Sequence, residues 1–108
     1  MDKEKLIEYL LDENIDDATR DDCAIDLSNF PEEDVIAALI KVANNLNGEE
    51  MIRASCGESI ASIWLKIDKI DFEALKSLEK PAYSEAIGLI RNNKPHWYFA
   101  YEKYNRKQ

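Results

Sequence analysis

The sequence predicts an all-α protein: about seven helices, forming three stacked helical hairpins and a C-terminal capping helix. Three observations predict it. Apolar residues recur at spacings of three and four along the chain, and no segment alternates apolar with polar residues as a half-buried strand would. Short breaks built from Asn, Gly, Asp and Pro separate the periodic segments. Finally, Asn14, Arg20, Cys23, Leu27 and Phe30 recur 33 positions later as Asn47, Arg53, Cys56, Ile60 and Ile63, although Asp26 meets Ser59 and breaks the register. Self-similarity at a fixed period marks stacked supersecondary units, none able to bury its apolar face alone.

Leu6, Ile7, Leu10 and Leu11 predict a first helix over 3–13. Asp16 or Asp17 caps the next, over 17–30, with Cys23, Ala24, Leu27 and Phe30 on its buried face. Pro31 ends that helix or sits in the first turn of the following one, where its missing donor is harmless. Glu32, Glu33 and Asp34 suit that first turn, because the helix dipole favours negative charge there. Val35, Ile36, Leu39, Ile40, Ala43 and Leu46 then make a wide apolar face over 32–46.

Asn47-Gly48 is a stop signal, with Gly available for a left-handed cap. Ile52, Cys56, Ile60, Ile63 and Ile67 line one face of a helix over 50–66, and Ala54, Gly57 and Ala61 let a neighbour approach closely. Asp71 opens a short helix over 71–78, and Pro81 another over 82–91. Asn92-Asn93-Lys94-Pro95 breaks the chain before a last helix from His96.

One domain, 1–108, is the natural reading of a chain of 108 residues that is 45% hydrophobic with three Gly and three Pro. No apolar run approaches the roughly 20 residues that span a bilayer. The acidic N-terminal segment lacks a signal peptide's apolar stretch, and two cysteines suit a reducing compartment. These features predict a cytoplasmic protein without a membrane partner.

The net charge of −8 is unevenly spread. Residues 1–34 hold thirteen acids against Lys3, Lys5 and Arg20, while 91–108 hold five cations against Glu102. Such a field steers basic partners into encounter and disfavours nucleic acid.

The second helices of the hairpins carry a more specific pattern. Thr19-Arg20 with Cys23, Leu27 and Phe30, and Ile52-Arg53 with Cys56, Ile60 and Ile63, resemble the second helix of HEAT repeats in their short bacterial form. The resemblance spans about residues 4–92 and implies a right-handed α-solenoid of three HEAT-like hairpins. It also implies that Arg20 and Arg53 hold repeats together and do no chemistry. Where the family places an Asp that forms a ladder along the stack, this chain has Asn14 and Asn47, which keeps a hydrogen bond without the charge.

Motifs for chemistry are incomplete. Asp12, Asn14 and Asp16 fit the opening of a calcium loop, but Asp17 stands where Gly is required and Cys23 where Glu must close the site. They are therefore read as turn and cap residues. Cys23 and Cys56 are read as buried small hydrophobes, and the single His96 has too few companions for zinc or a catalytic triad. Paired acids on exposed helices lack a pocket to split their pKa values, and no Gly-rich phosphate loop occurs. The expectation is a protein without enzymatic activity, cofactor or metal. In the tail, Trp97, Tyr101 and Tyr104 form a stripe read as sealing the stack, with single-strand binding as the alternative.

Together these features predict a protein-binding module. Small acidic HEAT-like proteins of bacteria include immunity proteins, and a dense acidic patch suits a basic, nuclease-type toxin. Asp17, Asp21, Asp22, Glu32, Glu33 and Asp34 are the expected partner-binding residues, with Ile25 as an exposed apolar anchor among them. The alternative is a general adaptor or regulatory subunit using the same surface.

Overall fold

Three helix starts follow capping chemistry written in the sequence. The carboxylates of Asp2, Asp16 and Asp71 accept the backbone N–H groups of Lys5, Thr19 and Ala74 at 2.9, 3.0 and 3.1 Å. Each bond satisfies a donor that the first helical turn leaves open. The computed structural model describes residues 1–107 and contains seven α-helices among them. They are α1 Lys3–Leu11, α2 Asp17–Asp26, α3 Glu33–Ala43, α4 Glu50–Ile67, α5 Phe72–Ser77, α6 Ala82–Asn93 and α7 Pro95–Arg106. The described residues include no strand, so the protein is all-α. None of these helices is long and apolar enough to cross a membrane.

Three local expectations are corrected. α2 stops at Asp26 and ends in a 3-10 turn, Leu27–Asn29, instead of running on to 30. Pro31 is the reason: it drives the preceding residue out of helical backbone, and Phe30 sits at φ −119° and ψ 86°. α3 stops at Ala43, so Leu46 lies in a turn and is 68% exposed rather than on the apolar face. Gly48 supplies no left-handed cap, since no glycine has positive φ; its N–H instead closes a turn on the Asn45 carbonyl at 2.9 Å. The left-handed residue is Asp68, at φ 56° and ψ 41°, which ends α4. Asp is among the few residue types besides Gly that enter this region.

α4 is the hub of the packing, lying against α2, α3 and α6. Ile52, Cys56, Ile60, Ile63 and Trp64 are all buried, as are Gly57, Ser59 and Ala61 on other sides of the helix. A helix with buried residues around most of its girth needs several neighbours. α6 approaches α4 at Gly57, where an added Cβ would lie 2.3 Å from the Ala82 carbonyl oxygen. The sequence expectation of a close approach along Ala54, Gly57 and Ala61 is met at this glycine.

The 33-residue recurrence reappears as matching hydrogen bonds. Arg20 donates from Nε and Nη2 to the Leu10 carbonyl at 3.0 and 2.9 Å, and Arg53 donates from Nε to the Ala43 carbonyl at 2.9 Å. Each guanidinium thereby satisfies a carbonyl at the end of the preceding helix, ten residues back. Arg53 also donates from Nη2 to the Lys80 carbonyl at 2.8 Å, joining α4 to the segment before α6. The Asn pair does not form the ladder that the resemblance implied. Asn14 and Asn47 are exposed, and their own N–H groups donate to Asp12 Oδ1 and Asn45 Oδ1 at 2.9 and 3.1 Å. Their side chains do not reach the arginines, whose described bonds all go to main-chain carbonyls.

At the other end, α7 packs on α5 and α6. Tyr101 is buried, and the Phe72 ring lies 5.7 Å from Tyr101 and 5.4 Å from Tyr104 between centroids. The aromatic stripe of the tail thus faces inward.

Two predictions follow from this packing. Gly57→Ala forces α4 and α6 apart against backbone atoms and should destabilise by about 1–3 kcal/mol, read as a lower urea midpoint at unchanged helicity. Cys56 and Tyr83 carry the second. Burial pushes the Cys56 thiol from 9.0 up to about 12. Burial, and then the hydrogen bond to Tyr101, push Tyr83 from 10.0 up to about 12. Both raised groups favour the neutral fold, so their contribution is intact below pH 9 and is lost as the pH climbs toward 12. The urea midpoint should stay flat from neutral pH to about 9 and then fall, and Cys56→Ala should make that fall shallower.

Candidate protein-binding surface

α2 divides its residues between two environments. Arg20, Cys23 and Ala24 are buried, whereas Asp22, Ile25 and Asp26 face water. Three bonds fix how α2 lies on α4. Ser55 Oγ donates to Asp21 Oδ1 at 2.6 Å, Ser59 Oγ to the Ala24 carbonyl at 2.7 Å, and Lys66 Nζ to the Ser28 carbonyl at 2.7 Å. The partners ascend together along both segments, so α2 and α4 run parallel. That register sets Asp21, Asp22, Ile25 and Asp26 beside the turn of α4 that carries Ser55 and Glu58.

The resulting surface is acidic with one apolar anchor. Ile25 is 49% exposed, and Asp22, Asp26 and Glu58 are exposed around it. No ion pair involving these acids or Asp21 occurs among the described residues. Uncompensated carboxylates around an accessible aliphatic side chain favour a partner with cations around an apolar centre. Met51, also exposed, lies one turn before Ser55 on α4 and adds apolar area.

The seven residues singled out from sequence do not all meet here. Asp21, Asp22 and Ile25 do, and Asp17 stands exposed in the first turn of the same helix. Glu32 and Asp34 are engaged elsewhere: Lys3 Nζ lies 2.8 Å from Glu32 and 3.0 Å from Asp34, tying the start of α1 to the start of α3. Glu32, and then Asp34, hold the Lys3 ammonium above its ordinary range, and the Lys3 hydrogen bond lowers Asp34. Glu33 borders a separate cavity of about 270 Å³ with Ile36, Trp64, Ile67, Lys69, Ile70 and Asp71.

Sequence reasoning missed Asp26 and Met51 as members of the surface. Asp26 follows Asp22 by four residues and Ile25 by one, so helical spacing contained the signal. Met51 was recoverable too, since it stands off the buried line of Ile52, Cys56 and Ile60.

Other side chains that invite chemical readings have structural roles. Asp12 and Asp16 serve a turn and a helix cap, and Asp16 also accepts from Thr19 Oγ1 at 2.8 Å. Hydrogen bonds from Thr19 lower the Asp16 pKa accordingly. Cys23 and Cys56 are free thiols, both buried, and burial raises both pKa values, which makes them poor nucleophiles. His96 is exposed, with its ring edge-on to Trp97. The chain matches no protein-family model, no curated protein and no solved structure.

Proposed function

We propose that this protein is a cytoplasmic, non-catalytic binding module, a short right-handed HEAT-like solenoid that neutralises a basic bacterial toxin as its immunity protein. The observation that carries the reading is the half-exposed Ile25 set among Asp21, Asp22 and Asp26 on α2, with Glu58 of α4 alongside. A nuclease-type toxin must attract phosphates, so its working surface is basic and complementary to these acids. Two features support the solenoid: the recurring Arg20 and Arg53 carbonyl bonds, and the parallel packing of α2 on α4.

Binding on this reading divides between encounter and anchoring. The acidic N-terminal third accelerates association in a salt-dependent way, while Ile25 contributes burial that slows dissociation. Asp22→Lys with Asp26→Lys should weaken the complex by about tenfold or more and flatten its salt dependence. Ile25→Ala should weaken it by a comparable factor, chiefly through faster dissociation. Co-expression with the toxin encoded beside the gene, followed by titration of the purified pair, checks both. Failure to rescue growth, together with no complex at low salt, would sink the proposal.

A further inference from the structure

α7 presents two different faces. The inner one, with Tyr101 and Tyr104, closes on Phe72 of α5. The outer one carries Phe99, Lys103 and Arg106 at positions i, i+4 and i+7, and Phe99 is 62% exposed. None of its cations is paired with an acid among the described residues. An aromatic ring kept in water beside two free cations has no role in sealing the helical array. The face of α2 has the converse character, with the half-exposed Ile25 between Asp22 and Asp26. Glu102, also exposed, lies at i+3 from Phe99, so the outer face of α7 holds two cations and one acid and is net positive, whereas the face of α2 around Ile25 holds acids alone.

These faces cannot meet within one chain. α2 packs on α4, α4 on α6 and α6 on α7, so α2 and α7 lie at opposite ends of the row in a molecule 41 Å long. Pairing α2 with another α2 would bring acids against acids, and α7 with α7 would set two net-positive faces together. Docking α7 of one copy on α2 of another brings opposite net charges together.

We infer that a second copy of this chain docks the outer stripe of its α7 on the acidic face of α2, with Phe99 against Ile25 and Lys103 and Arg106 against Asp22 and Asp26. Contacts of this kind are heterologous, leaving a free α2 face at one end and a free α7 stripe at the other. One helix pair buries less than the roughly 1,000 Å² of a stable interface, so the association is weak, reversible and sensitive to salt. Self-association and the partner proposed above share α2, and a bound partner ends the chain at that face.

Sedimentation velocity over a concentration series of the full chain tests this. The average mass should rise with concentration above the monomer mass at about 20 mM salt, without a plateau at the dimer, and return to monomer at about 0.5 M. Asp22→Lys/Asp26→Lys and Lys103→Glu/Arg106→Glu, all at exposed positions, should each be monomeric alone. Mixed together they should associate again, since each then offers the other a face of opposite sign. A wild-type chain that stays monomeric at low salt overturns the inference. So does a mixture that fails to associate when both variants keep native helicity. The α7 variant also separates this inference from the proposed function, because it abolishes self-association while leaving binding of a basic partner through α2 intact.

Discussion

The buried guanidinium of Arg53 ties together three parts of the chain, the end of α3, α4 and the turn before α6. Its Nε satisfies the carbonyl that ends α3, and its Nη2 satisfies the carbonyl before Pro81, where the last hairpin turns into α6. A positive charge beside the C-terminal carbonyls of a helix is stabilised by the helix dipole, so this one needs no carboxylate partner. The planar fork matters as well, because two donors on different nitrogens reach two separate carbonyls, which a lysine ammonium would not hold in one geometry. With those carbonyls fixed, α6 settles onto α4 closely enough that Gly57 has no room for a side chain. Arg20 repeats half of this arrangement on Leu10, closing α1 against α2.

Because the inner residues of α2 and α4 are occupied with this packing, their outer residues are free to vary between the copies. Where α4 has Ser55 and Glu58, α2 has Asp22 and Ile25 at the same repeat positions. The difference falls on a surface that the packing leaves in water. Glu32 and Asp34 show the opposite case, since Lys3 holds both in an ion-paired junction between α1 and α3. Similar residue types thus divide into structural acids and uncompensated ones, and only the second group creates a field that a partner can read.

Much of the fold was legible because its signals are local. Asp16 and Asp71 cap the helices that they precede, and Pro31 ends a helical stretch before Glu33 begins another. The 33-residue recurrence pointed to Arg20 and Arg53 as structural residues, and both make main-chain bonds only. Leu46 misled because helical spacing extends past Ala43, while hydrogen bonding stops there. Asn14 and Asn47 misled for another reason: the arginine donors are satisfied by main-chain carbonyls, so an Asn in register with a repeat makes no side-chain bond to them.

The candidate site was legible in part. Asp21, Asp22 and Ile25 sit one turn apart on one helix, and that spacing is visible in any helical projection. Glu32, Glu33 and Asp34 appeared to extend the same patch because they are near in sequence and alike in charge. Whether an acid is paired depends on which cation the chain brings to it, and Lys3 lies 29 residues from Glu32.

The sequence by itself determined the seven helices, the N-caps at Asp16 and Asp71 and the inward residues of the repeat, since these depend on neighbours within one or two turns. Only the tertiary structure decided which acids are left uncompensated, that Phe99 is left in water while Tyr101 is buried, and that the acidic and basic faces lie at opposite ends of the molecule. Those outcomes depend on hydrogen bonds and contacts between residues distant along the chain, which no local pattern encodes.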